Sequence, residues 1–353
     1  MKSLADYIAP DGSLDQGKIH LSVPLYQGMN GRFVERFYDD SGQSYIYKPV
    51  TQEGQEGREV WVYNHVLPKV AKVYPALLAY AGPSESGGAG WAVFEDLGQL
   101  SHDHRPGTLL RMARLAAGWH CLPAAEWEHA ALASPKPPIT QMAAELLGRE
   151  EEAGRLLQEA GLPPGLIQRG MDFVNRSALV RAKVLNHGDL HAGNYARARG
   201  RLYVLDWEHA HLNSPLWDLY HLIDMSHPVY PRAFPITAEL RERVLRGYAL
   251  KLREYGRELD EQQLADDYDG YACLFSLWML LLIGRDLQQG SVCWSAPQLL
   301  RQRTETMASL KECGLRFWQS GGGQGAGPGT DGPAEVRLTA DGYTAGGYTA
   351  EGG

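Results

Sequence analysis

The chain has 353 residues, enough for two lobes that each bury an apolar core. Hydrophobic residues make up 44% and charged residues 22%, a balance that excludes a disordered or fibrous protein. The formal charge of -8 excludes general nucleic-acid binding through surplus Lys and Arg, and leaves a cationic small partner open.

The start, "MKSLADYIAPDGS", has no apolar stretch followed by a small-residue cleavage site, so no export signal is expected. Cys121, Cys273, Cys293 and Cys313 lie far apart without CxxC spacing, which favours free thiols in a reducing cytoplasm. "RFVERFYDD" and "SGQSYIYKPV" alternate bulky apolar and polar side chains across an Asp-Ser-Gly turn and read as a hairpin that ends near Lys48. Val60, Tyr63, Leu67 and Val70 recur at helical spacing, predicting one helix over 53–73. "GWAVFEDLG" returns to a strand. After His102 the pattern is helical, in "TLLRMARLAAGWHCL", "ITQMAAELLGREEEAGRLLQEAG", "TAELRERVLRGYALKLREYG" and "SAPQLLRQRTETMASLKECG", with "ASPKPP" and "GLPPG" as separators. The apolar run "LFSLWMLLLIG" is too short to span a bilayer and reads as a buried helix, so no membrane partner is expected. A small β-rich lobe thus precedes a larger α-rich one, an α+β layout. The Gly-rich end, with its repeated "GYTA", reads as a disordered tail over 319–353.

Chemistry concentrates in "VLNHGDLHAGNYARARGRLYVLDWEHA". One apolar strand enters a loop ending at Asn194, a second ends at Asp206, and Arg199 to Arg201 is a hairpin turn between them. Asp189, Asn194 and Asp206 should therefore meet. That arrangement suits a divalent cation on oxygen ligands, with a carboxylate beside a substrate hydroxyl.

"HGDLHAGN" followed by a strand and "DWE" resembles the catalytic loop and metal acid of the aminoglycoside phosphotransferase and choline kinase superfamily, which has a bilobal protein-kinase-like fold. Protein kinases carry H-R-D-L-x-x-x-N and then D-F-G at the same spacing. The resemblance implies that Asp189 accepts or orients the acceptor hydroxyl, and that Asn194 and Asp206 hold Mg2+ on the phosphates of ATP or GTP. It further implies a phosphate-binding Lys48 paired with Glu59, or with Glu56 one turn earlier. Glu95, Asp96 and Leu97 of "FEDLG" would form the adenine hinge, His120 a Leu-His helix end, and Asp218 a structural acid. The implied organisation is a nucleotide lobe over 1–94, a hinge over 95–98 and a catalytic and substrate lobe over 99–318. In "YQGMNGRF", Gly28 and Gly31 stand without the full G-x-G-x-x-G, and Asn30 could supply a polar contact in place of glycine amides. No A-P-E segment follows Asp206, which argues against control by activation-loop phosphorylation.

The implied activity is transfer of a γ-phosphate to a small-molecule hydroxyl. A non-catalytic kinase-like scaffold is the alternative, and a protein kinase a third. His187, His191, Asp206, His209 and His211 can also be drawn as a metal-hydrolase cluster. Otherwise His187 braces the turn, His191 stands behind the catalytic residues, and His209 and His211 are solvated. Trp61, Trp91, Trp119 and Trp207 read as packing. The acidic run "ELDEQQLADDYDGY" reads as a charged helix face or as a receptor for ammonium groups, and Trp278, Arg285 and Trp294 as acceptor-pocket candidates.

Overall fold

The computed structural model describes residues 3–28, 31–49, 57–83, 89–102, 105–128, 130, 132, 134–291 and 293–320. Asn30, Glu56 and the tail from 321 onward lie outside the described residues.

Strands β1 (Leu21–Gln27), β2 (Phe33–Tyr38), β3 (Ser44–Pro49), β4 (Leu77–Ala81) and β5 (Trp91–Glu95) form an antiparallel sheet of order β1-β2-β3-β5-β4. The β2–β3 turn forms because Asp39 accepts from the amides of Ser41 and Gln43, while Gly42 supplies a positive φ of 81°. Strand alternation then sorts the side chains. Phe37, Tyr47, Trp91 and Val93 pack with Tyr7, Ile8 and Leu14 on one face. Ile46, Ala92 and Phe94 face the other way, and Lys48 goes with them, opposite Ala92 in register.

Helix α1 (Arg58–His65) is shorter than the sequence predicts. A 3-10 turn at Leu67–Lys69 follows, because Pro68 lacks the N–H that would continue the helix.

The larger lobe holds α2 (Pro106–His120), α3 (Ile139–Gly148), α4 (Glu150–Ala160), α5 (Leu166–Arg176), α6 (Ala178–Arg181), α7 (Pro215–Ile223), α8 (Ala238–Glu254), α9 (Glu261–Gln289) and α10 (Ala296–Ser320). It also holds the short strands β6 (Val184–Asn186), β7 (Tyr195–Ala198), β8 (Arg201–Val204) and β9 (His211–Asn213). The single helix expected over "ITQMAAELLGREEEAGRLLQEAG" is two, broken at Arg149 where ψ turns to 37°. Helix α10 runs past Gly314 to Ser320, so Gln319 and Ser320 belong to this lobe. A Cβ on Gly314 would come within 2.6 Å of a Leu162 methyl, so this glycine serves close packing and does not stop the helix.

Helix α9 is long and apolar enough to cross a bilayer, but 72% of its apolar window is buried inside the fold and it forms the axis of the core. Its first half contains the acidic run. Asp260 caps the helix, Asp267 accepts from Ser177, Asp269 pairs with Arg316, and Tyr268 and Tyr271 are fully buried. Asp260, Asp267 and Asp269 are thus engaged within the fold, Glu258, Glu261 and Asp266 stay exposed or partly so as on a charged helix face, and none of the run lines the cleft described below.

Candidate active site

The loop from His187 to Asn194 is held from below by Asp218, itself fully buried on α7. The Asp218 carboxylate accepts from the amides of His187 (2.8 Å) and Gly188 (3.1 Å), from Trp119 Nε1 (3.0 Å) and from His120 Nε2 (3.3 Å). Burial alone would raise its pKa. His120 and the His187 amide outweigh that and hold it well below the usual carboxylate range. Gly188 has φ +90°, and a Cβ there would sit 1.9 Å from the carbonyl oxygen of His209, so only glycine fits. His187 accepts from the Asp189 amide at Nδ1 and donates from Nε2 to the Leu205 carbonyl at 2.8 Å, tying the loop to the strand that leads to Asp206. His211 is buried with Nδ1 on the carbonyl of His209, and burial pushes its pKa down to about 4; it is not solvated. His209 is half-buried beside Glu208 and is likewise not a free surface group. With His187 and His211 committed to backbone carbonyls, the histidine metal cluster does not assemble.

Asp189 is the centre of the loop. Its Oδ2 accepts from Asn194 Nδ2 and lies beside His191 Nε2, both at 3.2 Å. His191 accepts from the Gly193 amide at Nδ1, so its ring proton sits on Nε2 and it touches Asp189 directly. Oδ1 carries no hydrogen bond among the described residues, and the nearest cation, Lys136 Nζ, is 4.0 Å away. Burial would raise the Asp189 pKa, but His191 and Lys136 overcome it and keep the group ionised.

On the opposite wall Lys48 reaches Asp206 (2.6 Å), Glu59 (2.8 Å) and Glu208 (3.2 Å). Asp206 adopts φ 60°, and the Leu205 amide before it bonds the Asn194 carbonyl at 2.8 Å, which joins the two strand ends the sequence had brought together. The hairpin between them has left-handed residues at Arg199 and Gly200, as a two-residue type I′ turn requires. One oxygen each from Glu59, Asp206 and Glu208 fall within 4.8 Å of one another. Burial, with Asp206 and Glu208 adding to it against Lys48, pushes the Glu59 pKa up to about 7. Three acids around one lysine leave room for a further cation. The donor set suits a hard one: Asn194 spends its amide nitrogen on Asp189 and keeps Oδ1 free, and Asp206 keeps Oδ2 free, among the described residues. Glu208 was missed by sequence reasoning, although it completes the quoted "DWE".

These walls face a cleft of about 720 Å³. At the end of β5, the Glu95 side chain accepts from the Ala76 amide and Arg199, and the Asp96 carboxylate is held by Arg36 at 2.7 and 3.1 Å. Leu97 lines the cleft, and its backbone groups carry no hydrogen bond among the described residues. The glycine turn behaves differently from expectation. The Gly28 amide is spent on Arg32 O and the Gly31 amide on Gly28 O, so neither N–H is left to cradle a phosphate. Beyond Asp189 the cleft turns aromatic. His191 stacks on His227 at 4.3 Å, Trp294 meets His227 edge-on at 5.6 Å, and Tyr230 lies over Gly193. Trp294 therefore lines the cleft. Trp278 instead donates to Glu145 and Arg285 lies beside Asp286, away from it.

The model of the phosphotransferase enzyme family matches residues 48–260. Among solved structures, an aminoglycoside phosphotransferase from Alicyclobacillus acidocaldarius subsp. acidocaldarius is similar at 11% identity, over 90% of this chain and 93% of that one, with a TM-score of 0.56. An ethanolamine kinase from Plasmodium vivax is similar at 12% identity, over 81% and 82%, with a TM-score of 0.51. A choline kinase from Cryptosporidium parvum is similar at 11% identity, over 89% and 94%, also with a TM-score of 0.51. At these identities the likeness concerns the fold, which is the bilobal protein-kinase-like α+β fold. No curated protein sequence matches the chain.

Proposed function

We propose a reaction for a chain that, matched over more than half its length, belongs to the phosphotransferase enzyme family: transfer of the γ-phosphate of ATP or GTP, with Mg2+, to a hydroxyl of a small molecule. The observation that carries this reading is the convergence of Lys48, Asp206, Asn194 and the open oxygen of Asp189 on one cleft.

In this reading the base lies along the Leu97 backbone, and Lys48, steadied by Glu59, meets the phosphates. Asn194 and Asp206, with Glu208 beside them, would hold the magnesium, whose contribution is to neutralise charge on the phosphates. The acceptor oxygen bonds to the γ-phosphorus as the bond from that phosphorus to the bridging oxygen breaks. The hydroxyl proton passes to Asp189, and the bond's electron pair leaves with the nucleoside diphosphate. Little covalent chemistry is asked of the protein beyond holding these groups in line.

The aromatic end of the cleft supports an acceptor with a ring or CH-rich face that stacks on His227, Tyr230 and Trp294.

A thermal-shift titration with ATP and GTP, each with and without Mg2+, tests the reading. A rise in Tm that needs nucleotide and metal together is expected, about 2.7 kcal/mol of stabilisation at a hundredfold excess over Kd. No shift with either nucleotide in the folded protein would leave the non-catalytic scaffold as the better reading.

A further inference from the structure

Lys136 stands in "ASPKPP", a stretch the sequence offers only as a helix separator. Pro135, Pro137 and Pro138 flank it, which restricts the backbone to extended conformations and aims the side chain before any contact is made. Its Nζ lies 3.3 Å from His221 Nε2. His221 directs Nδ1 to the Trp217 carbonyl at 2.9 Å and so carries its proton there, leaving Nε2 as a lone pair for Lys136. One N–H of Lys136 is thereby committed. Among the described residues its carboxylate neighbour is Asp189, and the contact is to Oδ1, at 4.0 Å.

That oxygen is the one Asn194 and His191 leave open, since both contact Oδ2. The gap of 4.0 Å is too long for a hydrogen bond between the two groups and suits an oxygen placed between them. Two hydrogen bonds of about 2.8 Å would span it with a bend of about 90° at the shared oxygen. A hydroxyl can donate one and accept the other.

We infer that Lys136 is a catalytic residue acting beside Asp189: its ammonium and the open oxygen of Asp189 grip the reacting oxygen of the acceptor between them. The hydroxyl donates its proton to Asp189 Oδ1 and accepts from Lys136 Nζ. As the oxygen attacks the γ-phosphorus, Lys136 keeps its own proton and steadies the charge developing beside it. His221 is a positioning residue that points the ammonium at this place. The inference rests on the phosphotransferase reading.

The test needs no identified acceptor, because water occupies the same place in hydrolysis of MgATP and in the MgADP–aluminium fluoride mimic of the transferring group. In K136M, MgATP hydrolysis should fall roughly ten- to a hundredfold, with the KM for ATP nearly unchanged. Affinity for MgADP–aluminium fluoride, read by calorimetry, should fall by at least about tenfold, and affinity for MgADP alone should change by less than about twofold. K136R, which keeps a donor, should recover part of both losses. Equal aluminium fluoride affinity in K136M and the parent would overturn the inference, as would a parallel loss of MgADP affinity, the mark of a merely structural lysine. A parent protein that binds neither MgATP nor MgADP would overturn the phosphotransferase reading itself, and the clamp with it.

Discussion

Asp218 shows how much a residue outside the cleft can decide within it. Four donors converge on a carboxylate with no exposed surface, and two of them are the backbone amides that shape the loop below Asp189. Asp218→Ala leaves those donors buried and unpaired, and a loss of about 3–5 kcal/mol in chemical denaturation is expected; a loss under about 1 kcal/mol would show that the loop holds itself. Asp189→Asn keeps the shape and removes the proton acceptor. Transfer should drop by about two to four orders of magnitude with MgADP affinity intact, and an unchanged turnover would remove Asp189 from the chemistry. Asp206→Ala should abolish the magnesium dependence of nucleotide binding in calorimetry, since Glu208 and Asn194 alone offer a poorer oxygen set.

At the scale of elements, two arginines from distant segments hold the stretch 95–98 that follows β5. Arg36 on β2 holds the Asp96 carboxylate and the Gly98 carbonyl, and Arg199, in the turn between β7 and β8, holds the Asp96 carbonyl at 2.7 Å. From one lobe Arg36 thus holds the Asp96 side chain and the Gly98 backbone, from the other Arg199 holds the Glu95 side chain and the Asp96 backbone, and Leu97 between them faces the cleft. Arg36→Met strands a nearly buried carboxylate. Nucleotide affinity should weaken several-fold while turnover at saturating nucleotide holds, and a loss of turnover alone would contradict this account.

For the molecule as a whole, buried acids pull the pH dependence of stability in opposite directions. Asp224 is enclosed by Arg241 at 2.8 and 2.9 Å, by Tyr268 and by Ser309; like Asp218, it resists burial through its partners and is held below the usual range. The stability from both is present above the ordinary aspartate value and is lost only as pH falls through their depressed values. Asp269 on α9 behaves oppositely. Burial outweighs Arg316 and raises its pKa to about 6, so its contribution is full below the ordinary value and is lost as pH rises through about 6. The gap corresponds to about 3 kcal/mol at most. Asp269→Asn cannot titrate, so relative to the parent it should gain stability between pH 4 and pH 7. A constant difference across that range would show that Asp269 is not raised.

Much of this architecture was legible in the chain. Asp-Ser-Gly and Arg-Gly marked the two hairpins because turn chemistry acts over a few residues, and alternation put Lys48 with Ile46 on the sheet face toward α1. The spacing of Asp189, Asn194 and Asp206 announced their meeting for the same reason: a loop, a short strand, a tight turn and a short strand leave few ways to connect. Through-space packing decided the rest. It turned Asp267 and Asp269 of α9 inward, added Glu208 to the lysine, and brought Lys136 from a proline-flanked separator to Asp189. Local pattern reports what neighbours along the chain impose on one another. Burial and the partner of each charge depend on elements far apart in sequence, and those only the tertiary structure supplies.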